Sequence, residues 1–126
     1  MSKNVKARIV ADGIDGFFSR VREHARKLDR GEELAPEATI SFEDPADMLR
    51  VLSPQRLRLL RATKQKSAAV TELARGLKRD TRAVSRDIDL LEKAGLVRTN
   101  YEVNPGHGKR RVVAARAAKY QLVANI

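Results

Sequence analysis

The sequence predicts an α+β domain in which three helices precede a β-hairpin, with a strand and a further helix set ahead of them. Three observations carry this. Apolar residues recur at helical spacing on two stretches joined by a tight turn, Val70 to Leu77 and Thr81 to about Ala94. After Gly95 the period changes from helical to two. A Pro105-Gly106-His107-Gly108 turn followed by Lys109-Arg110-Arg111 then joins two alternating stretches, which is the pattern of a hairpin with a cationic end.

From the N-terminus, Val5, Ala7 and Ile9 alternate with polar residues and suggest a short strand before an Asp12-Gly13 turn. Ile14, Phe17, Phe18, Val21, Ala25 and Leu28 keep helical spacing, and Arg20, Arg22, Lys27 and Arg30 occupy the other faces. That apolar stripe needs a cover: the chain's own core, a second copy, or a different protein. A membrane surface suits it less, because Glu23 and Asp29 dilute the charge. Asp29 to Glu37 is a polar connector with Gly and Pro, so residues 1–36 read as an N-terminal strand and amphipathic helix for dimerisation or partner binding, and residues 37–126 as the main domain.

Ile40 and Phe42 alternate as a second short strand. Asp44-Pro45 and Ser53-Pro54 are helix starts, a capping side chain followed by a proline whose missing N–H costs nothing in the first turn. The spacing predicts Met48, Leu49 and Leu52 as the buried side of the first of these helices. The second runs to about Gln65 and buries Leu57, Leu60 and Leu59, with Arg56, Arg58, Arg61 and Lys64 outside.

Between Ser67 and Val97 the chain reads as two helices. Val70, Leu73, Ala74 and Leu77 form the apolar face of the first; Lys78-Arg79-Asp80 breaks the pattern, and Asp80 is suited to cap the second. Val84, Ile88 and Leu91 make the second stripe, opposite Arg82, Ser85, Arg86, Asp89 and Lys93, and Gly95 ends the helix. From Arg82 to Asp89 this polar face spans about 10 Å at 1.5 Å per residue, the length one pass along a major groove offers. Asp87 falls toward the apolar side, where a salt bridge with a basic neighbour would orient the helix. Val97, Thr99, Tyr101 and Val103 then share one strand face, the hairpin returns through Val112 and Val113, and Tyr120, Leu122, Ala124 and Ile126 suggest a third strand.

The 126 residues carry 26 Lys and Arg against 16 Asp and Glu, a net charge of +10. The excess is +4 over residues 1–66 (14 basic, 10 acidic) and +6 over residues 67–126 (12 basic, 6 acidic). Such a balance favours an anionic partner, nucleic acid before an acidic membrane. With no Trp and five other aromatics, stacking platforms for single strands are scarce, which favours duplex DNA over RNA. Absence of cysteine excludes disulfides, thiol catalysis and thiolate metal sites. No apolar run suits a signal peptide or a membrane span, so a cytoplasmic protein is expected. The two histidines are isolated and no Gly-rich phosphate loop is present, so no catalytic residues, no metal site and no cofactor are expected, and no enzyme. His24 reads as a boundary residue of the stripe, and His107 either touches phosphate or decorates a turn. Glu32-Glu33 and Glu43-Asp44-Asp47 read as a solvated connector and helix-start charges.

These residues resemble a known family. VTELARGLKRDTRAVSRDIDLLEKAGLV, preceded by LSPQRLRLLRATKQ and followed by the hairpin, looks like the winged helix-turn-helix of MarR-like and ArsR-like transcriptional regulators. The SFEDP strand, VLSPQRLRLL and the PGHG turn are most similar to small predicted MarR-type regulators, over roughly Ile40 to Val113. The resemblance implies a winged helix-turn-helix (three-helix core plus β-wing) with an N-terminal strand-helix arm. It also implies sequence-specific binding of double-stranded DNA, usually by a homodimer, and repression by operator occlusion. By position, Thr81, Arg82, Ser85 and Arg86 would lie at the bases, with Asp89 farther along the same DNA-binding side, and His107, Lys109, Arg110 and Arg111 at the wing contacts. Some relatives resemble antitoxins of two-gene operons, which would offer the Ile14, Phe17, Phe18, Val21 and Leu28 surface to a cognate toxin or to a second copy. Larger MarR proteins carry longer terminal helices than Ile14 to Leu28.

Overall fold

A computed structural model describes residues 6–11, 13–31, 37–42 and 44–124. Val5, Asp12, the connector residues 32–36, Glu43 and Ile126 lie outside the described residues. In chain order the elements are β1 (Lys6–Ala11), α1 (Gly13–Asp29), β2 (Glu37–Ser41), α2 (Pro45–Val51), α3 (Pro54–Gln65), β3 (Ala68–Ala69), α4 (Val70–Leu77), α5 (Thr81–Lys93), β4 (Val97–Asn104), β5 (Gly108–Ala115) and β6 (Lys119–Ala124). Helices α3 to α5 with the β4–β5 hairpin form the expected winged helix-turn-helix.

The capping residues act where the sequence places them. The Asp44 carboxylate accepts the amides of Ala46 (2.7 Å) and Asp47 (3.1 Å), Ser53 Oγ accepts that of Arg56 (3.3 Å), and Asp80 accepts that of Ala83 (3.2 Å). Helix α5 ends on Gly95 at φ +84°, where the Leu96 amide reaches Leu91 O and the Gly95 amide reaches Glu92 O, both at 2.9 Å. Helix α4 ends the same way without a glycine. Lys78 takes φ +54°, and the Arg79 amide reaches Ala74 O at 2.9 Å.

One core joins the helices to both sheets. Val84, Ile88 and Leu91 of α5 are fully enclosed with Leu59, Leu96, Val97 and Val113, and each such side chain stabilises the fold by about 1.5–3 kcal/mol. Ile9 and Ala11 of β1 enter the same core, with Ile40, Phe42 and Tyr120 packed against it. Of the three residues expected on the buried side of the Asp44-Pro45 helix, Met48 and Leu52 are buried and Leu49 is exposed.

Strand pairing departs from the sequence reading. The wing sheet runs β3-β5-β4, antiparallel, and its third strand is the two-residue β3 ahead of α4. The C-terminal strand β6 belongs elsewhere: it pairs in parallel with β1, whose other edge takes β2, also in parallel. The first strand is therefore the centre of a second sheet, β2-β1-β6, built from both ends of the chain. Period-two alternation marks a strand but carries no information about its neighbour. Tyr120 fixes the junction: its hydroxyl donates to Leu96 O (2.6 Å) and accepts the amides of Arg116 (2.9 Å) and Ala117 (3.2 Å).

Candidate nucleic-acid interface

Helix α5 presents its polar face to solvent because its apolar stripe is consumed by the core. Thr81, Arg82, Arg86 and Asp89 are exposed, and Ser85 is half-buried. These are the side chains with the donors and acceptors that base edges require, Arg bidentate and Ser in either sense. The helix is held from behind. Asp87, 9% exposed, accepts from Arg56 Nε at 3.0 Å and lies 2.8 Å from Arg79 Nη2. The Asp87 salt bridge expected from the sequence is thus present, with two partners. Arg56 also donates to the carbonyls of Arg50 (2.7 Å) and Val51 (3.3 Å), so one guanidinium ties the end of α2 to α5. It was expected outside α3 and is turned inward, because those carbonyls and Asp87 together meet its donors.

The hairpin is clamped to the helix on one face and to α4 on the other. Successive strand residues point to opposite sides of a sheet. Arg111 faces α5: Nη1 lies 2.8 Å from Asp89 Oδ1 and 3.5 Å from Ser85 Oγ, and Nη2 lies 3.3 Å from Glu92 Oε1. The other Glu92 oxygen accepts the Thr99 amide (3.1 Å) and hydroxyl (2.6 Å). Arg110 points the opposite way, to Glu72 of α4 (3.1 Å) and Glu102 of β4 (3.3 Å). The structure therefore brings Ser85, Asp89 and Arg111 together and separates them from Arg110. The Arg111 side chain is 15% exposed. His107 and Lys109 stand exposed at the turn, where the His107 amide donates to Asn104 O at 2.8 Å.

Sequence reasoning missed Glu72, Glu92, Thr99 and Arg79 as supports of this surface. Their pairings span 7 to 38 positions and leave no periodic trace; only Asp87, a charge on an apolar stripe, signalled them.

The remaining predicted surface lies on α1. Ile14, Phe17, Phe18, Val21 and Leu28 are all exposed, and the rings of Phe17 and Phe18 meet edge to face at 5.5 Å. The chain's own core does not cover this stripe. Among the described residues no group of three or more His, Asp or Glu is placed to hold a metal ion, and no helix is long and apolar enough to cross a membrane.

A family model described as HVO_A0114 matches residues 51–117, just over half of the chain. No curated protein matches. Among solved structures the chain is similar to a possible transcriptional regulator from Methanosarcina mazei Go1 (15% identity, TM-score 0.48, 54% of this chain and 61% of that one). It is also similar to a transcriptional regulator homologue from Pyrococcus horikoshii OT3 (22%, 0.49, 59% and 76%) and to reduced HlyU from Vibrio cholerae N16961 (17%, 0.48, 77% and 80%). The chain spans less than two thirds of the length of the first of these.

Proposed function

The chain belongs to the HVO_A0114 family, and within it we propose a sequence-specific, double-stranded DNA-binding transcriptional regulator that works as a homodimer and represses by covering its operator. The observation that carries this is the outer face of α5, which offers Arg82 and Arg86 to solvent while Asp87 and Arg111 hold the helix from either side. In this reading α5 enters a major groove, with Thr81, Arg82, Ser85 and Arg86 at the base edges, and the turn brings His107 and Lys109 to the phosphates. Arg111 and Asp89 keep α5 and the wing in register and Arg110 ties the wing to α4, so that both elements meet the duplex as one surface. Two such units place their helices in successive grooves about one turn apart.

Selection of bound sequences from a pool of random duplexes tests the proposal. A recovered inverted repeat supports it, and recovery of unenriched sequence at the affinity of bulk DNA contradicts base reading. A second reading, an antitoxin whose N-terminal helix holds a toxin, draws on the outward apolar stripe of α1. A complex with an unlike chain of fixed stoichiometry, in place of a homodimer, would favour it.

A further inference from the structure

Helix α1 lies with its polar side against the body. Its half-buried positions are Gly16, Arg20, Glu23 and Lys27, and Arg20 Nη2 reaches Ser41 Oγ of β2 at 3.1 Å. The apolar side faces water, with Ile14 69% and Leu28 60% exposed. Along that side Ile14, Phe18, Val21, Ala25 and Leu28 are spaced four, three, four and three residues apart. This is the 3.5-residue repeat of a seam between two helices, narrower than the stripe of a helix lying on a core.

The geometry points to a second copy of this chain as the occupant, its α1 packed antiparallel to the first about a twofold axis. The pairing rests on the homodimeric reading above and says how the dimer is made. Charge and size both favour it. Asp15 and Arg22 flank the same side of the seam, and in the antiparallel register that sets Phe18 on the partner's Val21, Asp15 faces the partner's Arg22 and Arg22 the partner's Asp15. Ile14 then meets the partner's Ala25, so each layer from Ile14 to Ala25 sets a larger side chain against a smaller one, and Leu28 lies beyond the end of the partner's helix. A parallel pair in register would stack Phe18 on its copy and Ala25 on its copy, overfilling one layer and leaving the other void, and would align the two helix dipoles. On the far side of the seam, Phe17, Arg20, Val21 and His24 line a groove of about 170 Å³ against Thr39 and Ser41 of β2. That is room for one ring, since a cavity of about 150 Å³ holds benzene, and the partner's Phe17 falls over it. The seam is bordered by Asp15, Arg22 and Asp29, while Arg20, Glu23 and Lys27 lie against the body. An acidic protein or an anionic lipid surface would ask for a rim of one sign, whereas this rim of both signs matches its own copy.

The chain contains no cysteine, so single introduced thiols report the pairing directly in the full-length protein. Ile14→Cys and Ala25→Cys chains are mixed and oxidised, and solution mass is measured for each and for the parent protein. Both sites are exposed, and circular dichroism checks that each variant keeps its fold. The pairing predicts a cross-linked heterodimer from the mixture and no cross-link from Ile14→Cys alone. It also predicts that Asp15→Arg or Arg22→Asp weakens the dimer several-fold and that the double exchange restores it. Self-cross-linking of Ile14→Cys means a parallel pair and overturns the orientation. A dimeric mass with no cross-link at either site overturns the α1 pairing and leaves the homodimeric reading standing, whereas a parent protein that is monomeric at every concentration overturns both.

Discussion

Arg79 and Asp87 meet at 2.8 Å behind the exposed face of α5, with only 19% and 12% of their side chains exposed. Asp87 also receives Arg56 at 3.0 Å, so a single carboxylate balances two guanidinium groups. Removing it strands both. A fully buried pair broken this way costs about 3–5 kcal/mol; the residual water access here lowers the expectation for Asp87→Ala to about 2–3 kcal/mol. Urea unfolding checks this, and a loss below about 0.5 kcal/mol, the size of an ordinary surface substitution, would show that the pairs merely decorate the surface.

Arg110 and Arg111 are neighbours in sequence with opposite attachments, and Lys109 carries neither. Arg111→Ala is expected to cost about 1–2 kcal/mol, because its charged hydrogen bonds hold α5 to β5 in a partly covered site. Lys109→Ala is expected to leave stability unchanged and to reduce the salt dependence of DNA binding by about one phosphate contact. Denaturation midpoints and binding titrations across salt separate the two residues. Equal stability loss in both variants would contradict the assignment.

Lys78 holds a left-handed conformation at the end of α4, at φ +54°. A side chain there costs about 1–2 kcal/mol relative to glycine, part of which glycine returns through the entropy of its unfolded chain. Lys78→Gly should therefore raise stability by about 0.5–1 kcal/mol, read as a higher denaturation midpoint with unchanged slope. Lys78→Ala, which keeps a Cβ, should bring no such gain.

Burial raises the Tyr120 hydroxyl above its ordinary value of 10.0, against the smaller opposing pull of the Arg116 and Ala117 amides it accepts. The unfolded chain ionises this phenol near pH 10, while the folded protein keeps it neutral to higher pH. Its contribution is thus whole below about pH 10 and lost as pH climbs through the raised value. Tyr120→Phe should cost about 1–3 kcal/mol at neutral pH, leaving Leu96 O and two amides without their partner. It should also flatten the alkaline fall in melting temperature, and an unchanged alkaline limb would contradict the assignment.

The winged core was legible because its signals are local: caps at Asp44, Ser53 and Asp80, stripes at helical spacing, and a glycine turn at the wing. The partners of those signals were not. Nothing in the alternation of Tyr120 and Leu122 states that β6 runs beside β1, more than a hundred residues away. Nothing in the three-residue run Lys109-Arg110-Arg111 states that two of its cations are occupied, since their carboxylates lie on α4, α5 and β4. The orientation of α1 was equally hidden: the stripe was plain, yet only the exposure of Ile14, Phe18 and Leu28 in the folded chain shows that it faces away from the body.

Base reading by the exposed face of α5 is tested most directly by the affinity of the parent protein and of Arg86→Ala for the selected duplex and for a scrambled one of equal length, at one salt concentration. Base reading by Arg86 predicts a loss of about 1–3 kcal/mol, roughly five-fold to 150-fold, on the selected duplex and little change on the scrambled one. An equal loss on both duplexes would make Arg86 a phosphate contact and contradict base reading by this helix.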